Sequence, residues 1–165
     1  MKKWYAVTLC ALLVAPGANA CGFTSKLVPF EVAAGSAPTD DASGQLPAPK
    51  AVVTETIRGI GANHATCEDT GLLTVAIEWP RGDYKLRDLG FEFRVVSGAM
   101  PYAIFPEGPV KAPVDGRRSE YLFMWREGAP SQQKFLDMQV EVRAVTRSNV
   151  RGSPARVQVR SAPGS

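Results

Sequence analysis

Apolar side chains recur at every second position along four stretches of this chain, and no other feature constrains its fold as much. In the first stretch, Leu73, Val75 and Ile77 are separated by smaller or polar residues. The same spacing returns over residues 91–95, 138–144 and 157–159. Successive side chains of a strand point to opposite faces, so a period of two indicates strands with one buried face. The sequence therefore predicts an all-β fold, an antiparallel β-sandwich of two layers.

Further strands and turns fit the same fold. Residues 51–57 and 120–125 predict two more strands, and no stretch has a sustained helical period. Turns are predicted at residues 68–71, 80–83, 115–116 and 151–154. The sandwich is predicted to span residues 50–161, and residues 162–165 are predicted to be a disordered tail.

The first 20 residues have the organisation of a secretory signal peptide. Lys2 and Lys3 precede an apolar run over residues 6–14, and the small residues Ala18 and Ala20 follow it. The run is too short to cross a membrane as a helix. We expect cleavage after Ala20 in a bacterial host, which predicts a periplasmic or secreted protein.

Residues 21–49 are predicted to form a flexible N-terminal arm or linker. From residue 33 to residue 49 the chain consists mostly of small and polar residues, and Leu46 is its only large apolar side chain. Such a segment buries too little surface to offset the entropy of ordering it. Ahead of it, residues 27–32 can add a short edge strand, and Pro29 excludes that strand from a central position in a sheet.

Two cysteines, Cys21 and Cys67, remain after cleavage because Cys10 is removed with the signal peptide. An even number of cysteines in an oxidising compartment predicts a disulfide bond between Cys21 and Cys67. A second interpretation makes Cys21 the acylated residue of an outer-membrane lipoprotein, and Cys67 is then a free thiol.

The sequence predicts no catalytic residue, no cofactor and no metal site. His64 lies three residues before Cys67, but no third group that would orient such a pair is indicated. The sequence contains neither a nucleophile elbow, nor a phosphate-binding glycine motif, nor the His and Cys spacing of a zinc site. We therefore expect a protein that is not an enzyme, with an enzyme that uses His64 as a remote alternative.

Five arginines follow residue 142, and no acidic residue accompanies them beyond that point. They are Arg143, Arg147, Arg151, Arg156 and Arg160. On the predicted strands, Arg143, Arg156 and Arg160 point away from the core, so the set predicts a patch for an anionic ligand such as a polysaccharide. An ion-paired, solvated sheet face is the alternative. Loss of Lys2 and Lys3 reduces the formal charge from +3 to +1, which argues against nucleic acid as a partner.

Two other motifs have both a functional and a structural interpretation. Arg81, Gly82 and Asp83 form an integrin-type tripeptide, and they are also ordinary residues for a turn. Several aromatic side chains could form a platform for sugars or fill the core. They are Tyr102, Phe105, Tyr121, Phe123 and Trp125.

The order of these segments resembles a fibronectin type III or immunoglobulin-like domain. Residues 73–80 match the family's second strand, which ends in Trp and Pro. Residues 138–144, 151–154 and 157–159 match its penultimate strand, the following turn and its closing strand. Met138 departs from the family pattern, because the family usually has a tyrosine there. The resemblance implies a fibronectin type III-like sandwich without implying an activity.

These observations together predict a non-enzymatic exported binding or structural module of the bacterial envelope. Its expected partner is an envelope protein or polysaccharide. The alternative is a lipid-anchored periplasmic accessory subunit of a larger assembly, with the anchor at Cys21.

Overall fold

The computed structural model describes residues 24–60 and 69–165, and in these residues the chain is all-β, as the sequence predicts. The strands are β1 (Val28–Pro29), β2 (Thr39–Asp40), β3 (Lys50–Ile57), β4 (Thr70–Glu78), β5 (Gly90–Ala99), β6 (Val110–Lys111), β7 (Val114–Asp115), β8 (Arg118–Arg126), β9 (Leu136–Val145), β10 (Val150–Arg151) and β11 (Ala155–Ser161). Within the described residues, 3-10 helices lie at Leu86–Asp88 and Pro130–Gln132. No helix in the described ranges has the length and apolar content needed to cross a membrane.

The strands form two sheets. In the large sheet the order is β1-β6-β5-β9-β10-β2, and β11 also pairs with β9. In the small sheet the order is β3-β4-β8-β7. The pairs between described strands are antiparallel except that β10 and β2 run parallel. This architecture agrees with the predicted β-sandwich.

The core lies between the two sheets and is built from the alternating residues. Leu73, Val75 and Ile77 of β4 are at most 1% exposed. Phe91 and Phe93 of β5 are buried opposite them in the large sheet. The predicted inward faces of these strands are therefore confirmed.

Three of the aromatic residues belong to this core, which is the structural interpretation of these side chains, and Tyr102 and Phe105 are partly buried against it. Tyr121, Phe123 and Trp125 of β8 are at most 5% exposed. Tyr102 stacks on Trp125, with ring centroids 6.2 Å apart, and Phe105 contacts Phe123, with centroids 4.9 Å apart. The loop after β5 thus closes the side of the sandwich next to β8.

The described part of the N-terminal arm is packed on the domain and not loosely held, contrary to the sequence-based prediction. Leu46 is 1% exposed and Phe30 is 7% exposed, and both are buried hydrophobic residues of the core. Strand β1 adds to the edge of the large sheet, as expected for residues around Pro29. A turn held by Asp41, whose carboxylate accepts the Leu46 amide hydrogen at 2.6 Å, directs Leu46 inward. Backbone hydrogen bonds and two apolar anchors hold a segment whose composition predicted a linker.

Candidate ligand-binding surfaces

The arginines predicted as an anionic-ligand patch lie on or beside the outer face of the large sheet. Arg143 donates to Glu141 Oε1 at 2.7 Å and to Asp40 Oδ1 at 2.9 Å. The hydrogen bond that Arg143 donates to Glu141 raises the pKa of the Arg143 guanidinium above its usual value. Asp40 belongs to β2, so the arm supplies one of the carboxylates that offset this positive charge.

Three more arginines of the set also have carboxylate partners. Arg151 Nε lies 2.7 Å from Glu92 Oε2. The corresponding nitrogen-to-oxygen distances are 3.8 Å for Arg156 with Glu141 and 3.6 Å for Arg160 with Asp137. On this face arginines and carboxylates form ion pairs with one another. Fewer arginines are therefore available to bind an anionic ligand than the sequence suggests. Ligand binding at this face stays a prediction.

Arg147 is separated from the other four arginines. It lies in the loop between β9 and β10, where its carbonyl oxygen accepts the Ala33 amide hydrogen at 2.6 Å. With Phe30, Glu31 and Lys111 it lines a depression of about 400 Å³. The predicted patch is thus not one continuous surface.

A different surface, at one end of the sandwich, gathers more unbalanced positive charge. It is a cleft of about 470 Å³ between the β4–β5 loop and the β7–β8 hairpin, and we call it the cationic cleft. Its lining residues are Trp79, Pro80, Arg81, Gly82, Tyr84, Lys85, Leu86, Arg87, Val114, Gly116 and Arg117. Four of these are basic and none is acidic.

Local structure fixes the backbone of the cationic cleft. Trp79 is 2% exposed and its Nε1 donates to the carbonyl oxygen of Tyr84 at 2.9 Å, which holds the loop against the end of β4. Leu86, in the first 3-10 helix, is buried beneath the loop. Lys111 Nζ donates to the carbonyl oxygen of Arg87 at 2.5 Å. Three of the four basic residues, Arg81, Lys85 and Arg87, are therefore carried by an anchored loop.

The charges of the cleft are only partly offset. Arg117 Nη1 donates to the carbonyl oxygen of Trp79 at 3.3 Å, and Arg117 Nη2 lies 3.7 Å from Glu78 Oε1. Within the described residues, the exposed side chains of Arg81, Lys85 and Arg87 form no ion pair with a carboxylate within 4.0 Å. Three exposed cations at the cleft thus have no carboxylate partner in the part of the chain that the structure describes.

Sequence reasoning singled out the tripeptide at residues 81–83 but missed the cleft. The tripeptide lies in an exposed bend, and Arg81 and Gly82 line the cleft while Asp83 does not. Lys85 and Arg87 follow two and four residues after Asp83, so the positive charge of this loop is visible in the sequence. Arg117 comes from the distant β7–β8 hairpin, which only the fold brings close.

A buried polar cluster occupies another part of the sandwich, where β3 and β8 end. Arg58 and Glu127 have fully buried side chains, and Arg58 Nε donates to the two carboxylate oxygens at 2.8 and 3.0 Å. The guanidinium also donates to the carbonyl oxygens of Lys134, at 2.8 Å, and Ser161, at 3.1 Å. The Gly59 amide donates to Glu127 at 3.0 Å. Because its donors are satisfied internally, this cluster joins segments of the fold and is not an open site.

Several predicted features lie outside the described residues, namely the signal peptide, Cys21, His64 and Cys67. Residues 24–60 and 69–165 contain no group of three or more His, Cys, Asp or Glu side chains arranged to hold a metal ion. Comparisons with protein-family models, with curated proteins and with solved structures found no match.

Proposed function

We propose that this protein is a non-enzymatic, exported binding module of the bacterial envelope, and that its ligand is anionic. The observation that carries the proposal is the cationic cleft, where four basic side chains and no carboxylate line one open cavity. A fixed cleft lined by charges of one sign concentrates oppositely charged ligands at its mouth. The outer face of the large sheet is the weaker candidate, because most of its arginines are already ion-paired.

We further propose that the sandwich is of the fibronectin type III class. The small sheet has the order β3-β4-β8, and β9 lies between β5 and β11 in the large sheet. Strands A-B-E in one sheet and C-F-G in the other follow the same arrangement in immunoglobulin-like domains. Trp79, at the end of β4, packs edge-on against Phe91 with ring centroids 6.0 Å apart, which supports the assignment of β4 as the second strand.

The binding proposal is tested with the mature chain, residues 21–165, on an immobilised acidic polysaccharide and on a neutral one. We expect retention on the acidic resin alone, and elution by salt, because charge pairs exposed to solvent are screened. The variant Arg81→Glu, Lys85→Glu is expected to lose retention. The matched control Arg156→Glu, Arg160→Glu changes the same number of charges on the ion-paired face and is expected to keep it.

Each remaining outcome of this experiment counts against the cleft. If the control variant loses retention and the cleft variant keeps it, the ligand binds the arginine face that the sequence predicted. If the unmodified chain is retained on neither resin, the protein is not a module for anionic ligands. The accessory-subunit alternative then gains support if the protein isolated from its native envelope brings a complex with it.

A further inference from the structure

The charge of the cationic cleft exceeds what a single carboxylate would neutralise. Three of its four cations are guanidinium groups, those of Arg81, Arg87 and Arg117, and the fourth is the ammonium group of Lys85. Glu78 offsets part of the Arg117 charge. A phosphate monoester carries close to two negative charges near neutral pH and has three acceptor oxygens. One guanidinium group can donate to two such oxygens at once, so the cleft matches phosphate in its charge and in the kind of donors that it offers.

Carboxylates near the cleft do not remove this match. Asp83 and Asp88 belong to the same loop, and Asp115 belongs to the opposite hairpin, but none of the three lines the cavity. The lining of the cleft thus contains four basic residues and no acidic one, although three carboxylates belong to the segments that form its walls.

The remaining walls of the cleft are apolar. Pro80, Tyr84, Leu86 and Val114 are among its lining residues, and Tyr84 is half-buried. A volume of about 470 Å³ is in the range of small-molecule sites, where a few polar groups fix a ligand against apolar walls. A ligand with a compact ring that has apolar C–H faces and a charged substituent would use both kinds of wall. A sugar phosphate has this composition.

We infer that the cationic cleft binds a saccharide that carries a phosphate group, an inference that rests on the proposed function of the same cleft. The phosphate contacts Arg81, Lys85, Arg87 and Arg117, and the sugar ring lies against Tyr84. The ligand can be a free sugar phosphate or the phosphorylated headgroup of a glycolipid, since both present the same chemistry to the cleft.

Calorimetric titration of the mature chain with glucose 6-phosphate, glucose, glucuronate and inorganic phosphate tests the inference. We expect glucose 6-phosphate to bind about tenfold more tightly than glucuronate or inorganic phosphate, and glucose not to bind, because charge-assisted bidentate contacts and ring contacts act together only in the sugar phosphate. Arg81→Ala, Arg87→Ala should weaken this binding by about tenfold or more. Arg156→Ala, Arg160→Ala should leave it unchanged, and circular dichroism checks that both variants are folded.

The outcomes separate this inference from the proposed function. Equal affinity for inorganic phosphate and glucose 6-phosphate would overturn the saccharide part, and equal affinity for glucuronate would overturn the phosphate part. If no sugar phosphate binds but the chain is still retained by acidic polysaccharide, the inference is wrong and the proposed function stands. If the chain binds neither a sugar phosphate nor acidic polysaccharide, the inference and the proposed function both fail.

Sedimentation with vesicles distinguishes a free sugar phosphate from a glycolipid headgroup. Sedimentation with vesicles that contain a phosphorylated glycolipid, and not with phosphatidylglycerol vesicles, supports a glycolipid headgroup.

Discussion

At the scale of single residues, the ion pair of Arg58 and Glu127 is expected to have a large effect on stability. Both side chains are fully buried, so each charge depends on the other for its stability. Burial raises the pKa of Glu127, but hydrogen bonds from Arg58 and from the Gly59 amide outweigh this effect and lower the pKa below its ordinary value. Removing one partner of a buried pair leaves an uncompensated charge in the interior.

Glu127→Gln is therefore expected to reduce the free energy of unfolding by about 3–5 kcal/mol at neutral pH. The folded-state pKa of Glu127 is lower than its unfolded-state pKa, so the contribution of the carboxylate is present above the unfolded value and is lost as the pH falls through the folded value. Urea unfolding at pH 7 should show the full difference between wild type and variant, and this difference should shrink below about pH 4.

A double variant provides the control for this prediction. Arg58→Met, Glu127→Gln removes both charges, and its loss of unfolding free energy should be smaller than the sum of the losses of the two single variants, because the pair is lost only once. A Glu127→Gln protein as stable as the wild type at pH 7 would contradict the assignment of a buried, ionised pair.

Gly71 is required by the packing of a neighbouring ring. A Cβ atom at this position would lie 2.1 Å from Cε2 of Trp125. Gly71→Ala should therefore force the indole to move and reduce the free energy of unfolding by about 1–3 kcal/mol. Gly108→Ala is the matched control, because a Cβ atom there has no neighbour within 4 Å. Denaturant unfolding of the two variants gives the comparison, and equal stabilities would contradict the proposed contact.

At the scale of elements, the N-terminal arm acts as part of the sandwich. Strand β1 lies at the edge of the large sheet, and β2 pairs with β10. Between β2 and β3, Leu46 inserts into the core and its carbonyl oxygen accepts the Ser153 amide hydrogen at 3.0 Å. A segment that composition marks as a linker thus supplies a buried anchor.

Leu46→Ala should reduce the free energy of unfolding by about 2–5 kcal/mol, because it opens a cavity at a site that is 1% exposed. Val52→Ala, on the edge strand β3, is the control, since Val52 is 48% exposed and its truncation should change stability by about 0.5 kcal/mol or less. Thermal or urea unfolding measures both. If Leu46→Ala costs no more than Val52→Ala, the arm is loosely held, as its composition predicted.

The strands could be predicted from the sequence because burial of one face requires an apolar residue at every second position, and this pattern is local. The alternation of Leu73, Val75 and Ile77 marked β4, and similar patterns marked β5, β9 and β11. The ion pairs of surface residues follow no such local pattern. The carboxylate partners of Arg143 and Arg151 include Asp40 and Glu92, which reach them from other strands. The cationic cleft likewise depends on a contact between two distant loops, so only the fold reveals it.

At the scale of the whole molecule, the predicted disulfide has to connect the start of the arm to the segment before β4. Thr24 and Leu72 line the same groove of about 890 Å³ on the outer face of the small sheet. Cys21 precedes Thr24 by three residues, and Cys67 precedes Leu72 by five. Both cysteines lie outside the described residues, so the bond between Cys21 and Cys67 stays a prediction.

We expect the protein matured in its native host to begin at Cys21 and to contain this disulfide. Its intact mass should not change with an alkylating agent until a reductant is added, and reduction should lower the free energy of unfolding by about 4 kcal/mol, because the cross-link restricts the unfolded chain. Cys67→Ser is the control, since it should leave a Cys21 thiol that reacts without reduction. A diacyl or triacyl addition to Cys21 would contradict the disulfide, since an acylated sulfur cannot bond to Cys67. The protein would then be a lipoprotein with its anchor at Cys21.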